Sequence, residues 1–166
     1  MPIKNPQELF VKLLSDIRQH EERMTIICQE LSQVAEDSEI KESLNSRVFL
    51  GDKIINTLDQ CFKVLGQQPM KTSDRLQDVF VEDFRKELKE IQSPMAKALY
   101  VAAKANHLMQ FRIGEYVSLI AMADISGHYG LGMLLESCLA DKLSFVDRTR
   151  RRIEHLVESE AAAGVA

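Results

Sequence analysis

Apolar side chains recur every three to four residues along almost the whole chain, and the breaks between runs fall at residues that cap helices. Asn5-Pro6-Gln7-Glu8 reads as a helix start, with Asn as the cap, Pro in the first turn and Glu three residues on. From there Leu13, Ile17, Met24, Cys28, Leu31 and Ala35 hold one face to about residue 36. Asp37-Ser38 interrupts the pattern and caps a second helix. Its stripe of Ile40, Leu44, Val48, Ile55, Leu58, Phe62 and Leu65 runs unbroken to Gly66, a C-terminal cap followed by Pro69. After a polar stretch at 67–73, a short, highly charged third helix is expected from Asp74 to about Ile91, with Leu76, Val79, Phe80, Phe84 and Leu88 on one face. Ser93-Pro94 opens a long fourth helix carrying Ala98, Ala102, Ala105, Met109, Ile113, Tyr116, Ile120 and Ala123, ended by Ser126-Gly127. A fifth follows Gly130 with Leu131, Leu135, Cys138, Phe145, Ile153 and Leu156. Residues 161–166 read as a frayed tail, which leaves 1–160 as one domain.

The fold class is therefore all-α. Four helices of about 30 residues would each be roughly 45 Å long. Short turns make the first and second antiparallel, and likewise the fourth and fifth. A longer crossover carrying the short helix joins the two pairs. That connectivity is the ferritin-like up-and-down four-helix bundle with one long crossover.

Composition narrows the function classes. A chain with a formal net charge of −4 and pI near 5.6 is a poor general binder of nucleic acid or anionic membrane. No apolar run reaches the roughly 18 residues needed to span a bilayer, and no secretory signal pattern opens the sequence, so a cytoplasmic location is expected. Cys28, Cys61 and Cys138 are widely spaced among apolar residues, as reduced core thiols would be. Arg148, Arg150, Arg151 and Arg152 form a basic cluster, but Glu154, Glu158 and Glu160 follow at once, and cations late in a helix suit its dipole. A solvated helix end explains them better than a polyanion contact.

In such a bundle any chemistry projects inward from facing helices. At 100° per residue, Glu21 lies on the inner side of the first helix with Ile17, Met24 and Cys28, and His20 sits on the other shoulder of that stripe. Arg47 sits beside Leu44 and Val48, Arg112 among Ala105, Leu108, Met109 and Leu119, and Lys142 among Leu135, Cys138, Leu139 and Val146. Glu21, Arg112 and Lys142 each fall near the midpoint of their helix, level with Leu50 and Gly51 on the second. Long cationic side chains can instead lay their stems along an interface and keep their heads in water. Three charges at one depth on separate helices favour a buried ion cluster of Glu21, Arg112 and Lys142, with Arg47 and His20 as further members.

The sequence resembles the YciE/YciF family of ferritin-like bacterial stress proteins over essentially residues 6–157. The resemblance rests on Glu39-Ile-Lys-Glu, Phe62-Lys-Val-Leu-Gly-Gln-Gln-Pro, Ala102-Ala-Lys-Ala, Ile113-Gly-Glu-Tyr-Val-Ser-Leu-Ile-Ala and Leu134-Leu-Glu-Ser-Cys-Leu, in that order and spacing. It implies a bundle like those of di-iron carboxylate proteins, a homodimer and an association with stress. Carried over residue by residue, the implied iron ligands mostly fail. Glu21 or its neighbour Glu22 matches the ligand position of the first helix. The other implied positions fall on Leu50 and Ile54, on Met109-Gln110-Phe111-Arg112 and on Asp141-Lys142-Leu143.

Two expectations follow. The first is a non-enzymatic protein without cofactor or metal, pairing as a homodimer in a structural or stress-related interaction role, its central metal site replaced by ions of opposite charge. It fits a sequence without Glu-x-x-His on any helix. The alternative is an iron-binding oxidase or metal store with a relocated site, for which Asp16 with His20 and Asp124 with His128 offer i, i+4 pairs.

Overall fold

Among the described residues six helical segments build the bundle: α1 (Pro6–Val34), α2 (Ser38–Phe49), α3 (Gly51–Leu65), α4 (Arg75–Glu90), α5 (Pro94–Ile125) and α6 (Tyr129–Ala163). The computed structural model describes residues 2–72 and 75–163. The expected start of the short helix at Asp74 lies outside these residues. The segment expected to be a tail is helical as far as Ala163.

The helix starts are set locally. The side chains of Asn5, Asp37 and Ser93 accept hydrogen bonds from the backbone N–H groups of Glu8, Ile40 and Ala96, and Pro6 and Pro94 occupy first-turn positions where no donor is needed. Gly66 closes α3 in the left-handed conformation, at φ 62°.

Ion pairs show how the helices run. Lys97 meets Glu36, and Arg152 meets Asp37, so the start of α5 and the late part of α6 lie at the end of the bundle where α1 stops. Phe10, Phe62, Ala123 and Leu131 cluster at the other end. α1 borders α2–α3 and α5, and α6 closes the square against the same two, so every pair of neighbours is antiparallel. The α4 crossover lies along α1 and α5, burying Phe84, which stacks on Tyr100 with centroids 5.6 Å apart. Leu76 and Val79, expected on the same inner face, are exposed; the stripe that packs is Gln77, Phe80, Phe84 and Leu88. Among the described residues no helix is long and apolar enough to cross a membrane.

The second long helix differs from expectation. It is interrupted at Leu50, whose ψ of −10° departs from the helical −42°, and it resumes at Gly51. At the same point α1 comes close. A Cβ built on Gly51 would stand 2.5 Å from Oγ1 and 3.1 Å from Cγ2 of Thr25, so the two helices approach more closely here than any larger residue allows. Thr25 is itself tied down, its hydroxyl donating to the Glu21 carbonyl. Gly51→Ala should therefore lower stability by about 1–3 kcal/mol despite alanine's better helix propensity. The double variant Gly51→Ala/Thr25→Ala should recover most of that loss. Urea unfolding of the two variants checks the contact, and an unaltered midpoint for the single variant would dismiss it.

Candidate functional site: a buried ion layer

The apolar core comes in two parts. One cluster contains Met24, Leu44, Met109 and Phe145, the other Ile17, Ile54, Tyr116 and Cys138. Between these residues, on four different helices, lie Glu21, Arg47, Arg112 and Lys142. They are exposed by 1%, 3%, 1% and 1%. Four charged side chains thus form a polar layer halfway along the bundle.

Glu21 is its centre. Its Oε1 lies 2.7 Å from Nζ of Lys142, which reaches it from the diagonally opposite helix, and its Oε2 accepts from Nη2 of Arg47. Burial pushes the Glu21 carboxyl up, but Lys142, Arg47 and Arg112 outweigh it and hold it below its ordinary value, so it is an anion. Lys142 also stands 4.4 Å from the ring centroid of Tyr116, a cation–π contact inside the core. Burial, followed by the charge of Arg47, lowers the lysine despite Glu21. Two cations therefore share one carboxylate.

Arg112 is buried at this depth but does not pair with Glu21 as the sequence led us to expect. Its Nη1 lies 2.9 Å from Oε2 of Glu115, one turn along its own helix, and Oε1 of Glu115 is 2.9 Å from Nδ1 of His20. A carboxylate close by on α5 captures the guanidinium, while Arg47 on α2 takes the place beside Glu21. His20 thus joins the layer's edge through Glu115 rather than through Glu21. Glu115 escaped the sequence reading because it lies on the shoulder between α5 and α1, half-exposed. The i, i+3 spacing of Arg112 and Glu115 was the available signal.

The remaining candidates are engaged elsewhere. Glu22 points outward to Arg18 at 2.6 Å, which leaves Glu21 as the inward residue of the two. Asp16 is held by Lys12 at 2.5 Å, and Asp141 faces Lys53 at 3.8 Å. Asp124 belongs to α5 while His128 follows the end of that helix, so they share no helical face. Arg150 and Arg151 pair with Asp147, Arg150 also with Glu154, and Arg152 with Asp37 and Glu39. Three of the four arginines of the basic cluster are thus paired with carboxylates. The three thiols are free and buried, and burial pushes Cys28 and Cys61 up to about 12, where they are unreactive. Among the described residues, no three His, Cys, Asp or Glu side chains are grouped as a metal ion would require.

The family described as Domain of unknown function (DUF892) matches residues 5–163. The chain belongs to the DUF892 family. Three solved structures share its fold. The E. coli stress protein YciF superposes with a TM-score of 0.87 at 16% identity, covering 94% of this chain and 99% of that one. YcfI from Rhodopseudomonas palustris gives 0.84 at 24% identity over 89% and 94%. A protein from Xanthomonas campestris gives 0.73 at 14% identity over 97% and 99%. No curated protein matches the sequence.

Within this DUF892 bundle the di-iron ligand set implied by the family resemblance can be tested residue by residue. Of the implied positions, Leu50, Ile54 and Met109 are apolar, Arg112 and Lys142 are cationic, and Asp141 is partly exposed and faces Lys53. Among the described residues Glu21 is the one fully buried carboxylate, and both its oxygens face cations. These residues do not fit a pair of iron ions, which need several converging carboxylates and imidazoles.

Proposed function

We propose that this DUF892 protein is a non-enzymatic bundle without a resident metal, working as a homodimer in a structural or stress-related interaction role in the cytoplasm, without nucleic acid or membrane as partner. The observation that carries this reading is the ion layer. Arg47 and Lys142 occupy both oxygens of Glu21, the one fully buried carboxylate among the described residues, so a cation entering there would have to displace two charged side chains from full burial. Glu21, Arg47, Arg112 and Lys142 line none of the larger surface grooves, and the layer meets one only at its edge, where His20 and Glu115 line the groove between α1 and α5.

Metal analysis tests it. Protein purified without chelators from iron-supplemented cells should carry iron, manganese and zinc well below one ion per chain by plasma mass spectrometry. It should also show no thermal stabilisation by added ferrous ion. About two ions per chain, retained through dialysis and lost on Glu21→Ala, would overturn the proposal.

A further inference from the structure

The α5–α6 hairpin presents a surface whose exposed charges are of one sign. From Ala105 to Val146 its Lys and Arg residues are Arg112 and Lys142 alone, and both are buried in the ion layer, each 1% exposed. The carboxylates of the same stretch are Glu115, Asp124, Glu136 and Asp141. Elsewhere exposed carboxylates meet cations, as Asp78 meets Arg23 and Glu30 meets Arg85. Asp124 and Glu136 are exposed, and neither has an ion-pair partner among the described residues. They lie on the outer seam between the two helices. A Cβ built on Gly132 would stand 2.8 Å from Oδ1 of Asp124, which fixes the sides of α5 and α6 that face each other. Turning at 100° per residue, Val117 falls within about 20° of Asp124, and Tyr129, Glu136 and Leu143 fall within about 60° of Gly132. Met133 comes next on the outward side. Val117, Tyr129, Met133 and Leu143 are 51%, 68%, 70% and 50% exposed. Apolar side chains and unpaired carboxylates thus share one strip, two helices wide and roughly 20 Å long.

We infer that this strip docks a cationic amphipathic helix of a partner protein. The inference gives a partner chemistry to the proposed interaction role and rests on it. The furrow between two antiparallel helices is the shape into which a third helix packs, as the inner furrows of this bundle already show. An apolar stripe on the partner helix would cover Val117, Tyr129, Met133 and Leu143. Its Lys or Arg side chains, flanking that stripe, would supply the counter-charges that Asp124 and Glu136 find nowhere on their own hairpin. Charge decides between occupants. A second copy presenting the same strip would set carboxylate near carboxylate, an acidic segment would do the same, and a phosphate-bearing surface would be repelled. An uncharged helix would cover the two carboxylates without pairing them, which costs free energy.

Fluorescence anisotropy with labelled peptides of about 18 residues, long enough to span the strip as a helix, tests this. One peptide carries Leu at helical spacing with Lys on its other faces. A second has the same composition scrambled so that no stripe forms, and a third carries Glu in place of Lys. The intact protein should bind the first at least about tenfold more tightly than either of the others. Asp124→Asn/Glu136→Gln should weaken that binding at least about tenfold, and so should Val117→Ser/Met133→Ser, with thermal melts unchanged because only exposed side chains are altered. Asp83→Asn/Glu90→Gln, which removes the same charge from α4, should leave binding as it was. Absence of binding, equal binding of the first two peptides, or equal losses from the two charge variants would overturn the docking site. Each of these leaves the metal-free reading standing, since that one fails separately, on bound iron. A wild-type dimer converted to monomer by Val117→Ser/Met133→Ser in sedimentation velocity would show the strip covered by a second copy, and would overturn the inference too.

Discussion

Replacing Glu21 with glutamine is expected to lower the unfolding free energy by about 3–5 kcal/mol, the range seen when one partner of a buried ion pair is removed. Arg47 and Lys142 would then remain buried, and Glu115, the carboxylate at the layer's edge, already serves Arg112 and His20. Lys142 can shed its proton, but Arg47 cannot. Removing a cation instead should be far milder. Lys142→Met leaves Glu21 paired with Arg47, fills most of the same volume and relieves the excess of positive charge, so a change within about 1 kcal/mol is expected. Equal losses from Glu21→Gln and Lys142→Met in urea unfolding would show that two cations do not depend on one anion.

The same pair predicts a pH profile. Glu21 titrates below its ordinary value of 4.5 in the folded state, so its contribution is present above 4.5 and is lost as pH falls through the folded value. Lys142 titrates below 10.5 when folded, so between its folded value and 10.5 the unfolded chain binds more protons and stability rises with pH. Lys142→Met should abolish that alkaline rise and leave the acid limb in place.

What could be read from the residues depends on how far away their causes lie. Asn5, Asp37 and Ser93 bond to backbone groups three residues on, so the helix starts were legible. Helical periodicity alone sets Glu21 and Lys142 on inner faces, because each is flanked one turn away by core residues. The tight approach at Gly51 was not legible, since Thr25, which meets it, comes from another helix. Nor was the exchange of partners in the ion layer. Depth along a helix says which charges share a level, but not that Arg47 is aimed at Glu21 while Arg112 turns to Glu115. Choosing between cations at one level needs the rotation of each helix about its axis, which packing sets.

The largest effect in the stabilising direction is expected from removing the central triad altogether. Glu21→Leu, Arg47→Met and Lys142→Met in one chain should raise the unfolding free energy by about 1–4 kcal/mol, as apolar replacement of a buried ion network often does. Three desolvation penalties disappear. So do Nε and Nη1 of Arg47, buried donors without a hydrogen-bond partner among the described residues. Leucine and methionine would also join the two apolar clusters into one continuous core. The charge layer is thus poorly explained by stability, and its physical contribution is register. Glu21 can meet Arg47 and Lys142 together only when α1, α2 and α6 are aligned at one height, whereas an uninterrupted apolar core tolerates a helix slipped by a turn. The triad variant should accordingly be more stable but less uniquely packed, with broadened methyl signals and a smaller m-value than the wild type. A variant that gained stability while keeping sharp signals and an unchanged m-value would refute the register argument, because the helices would then find their alignment without the charges.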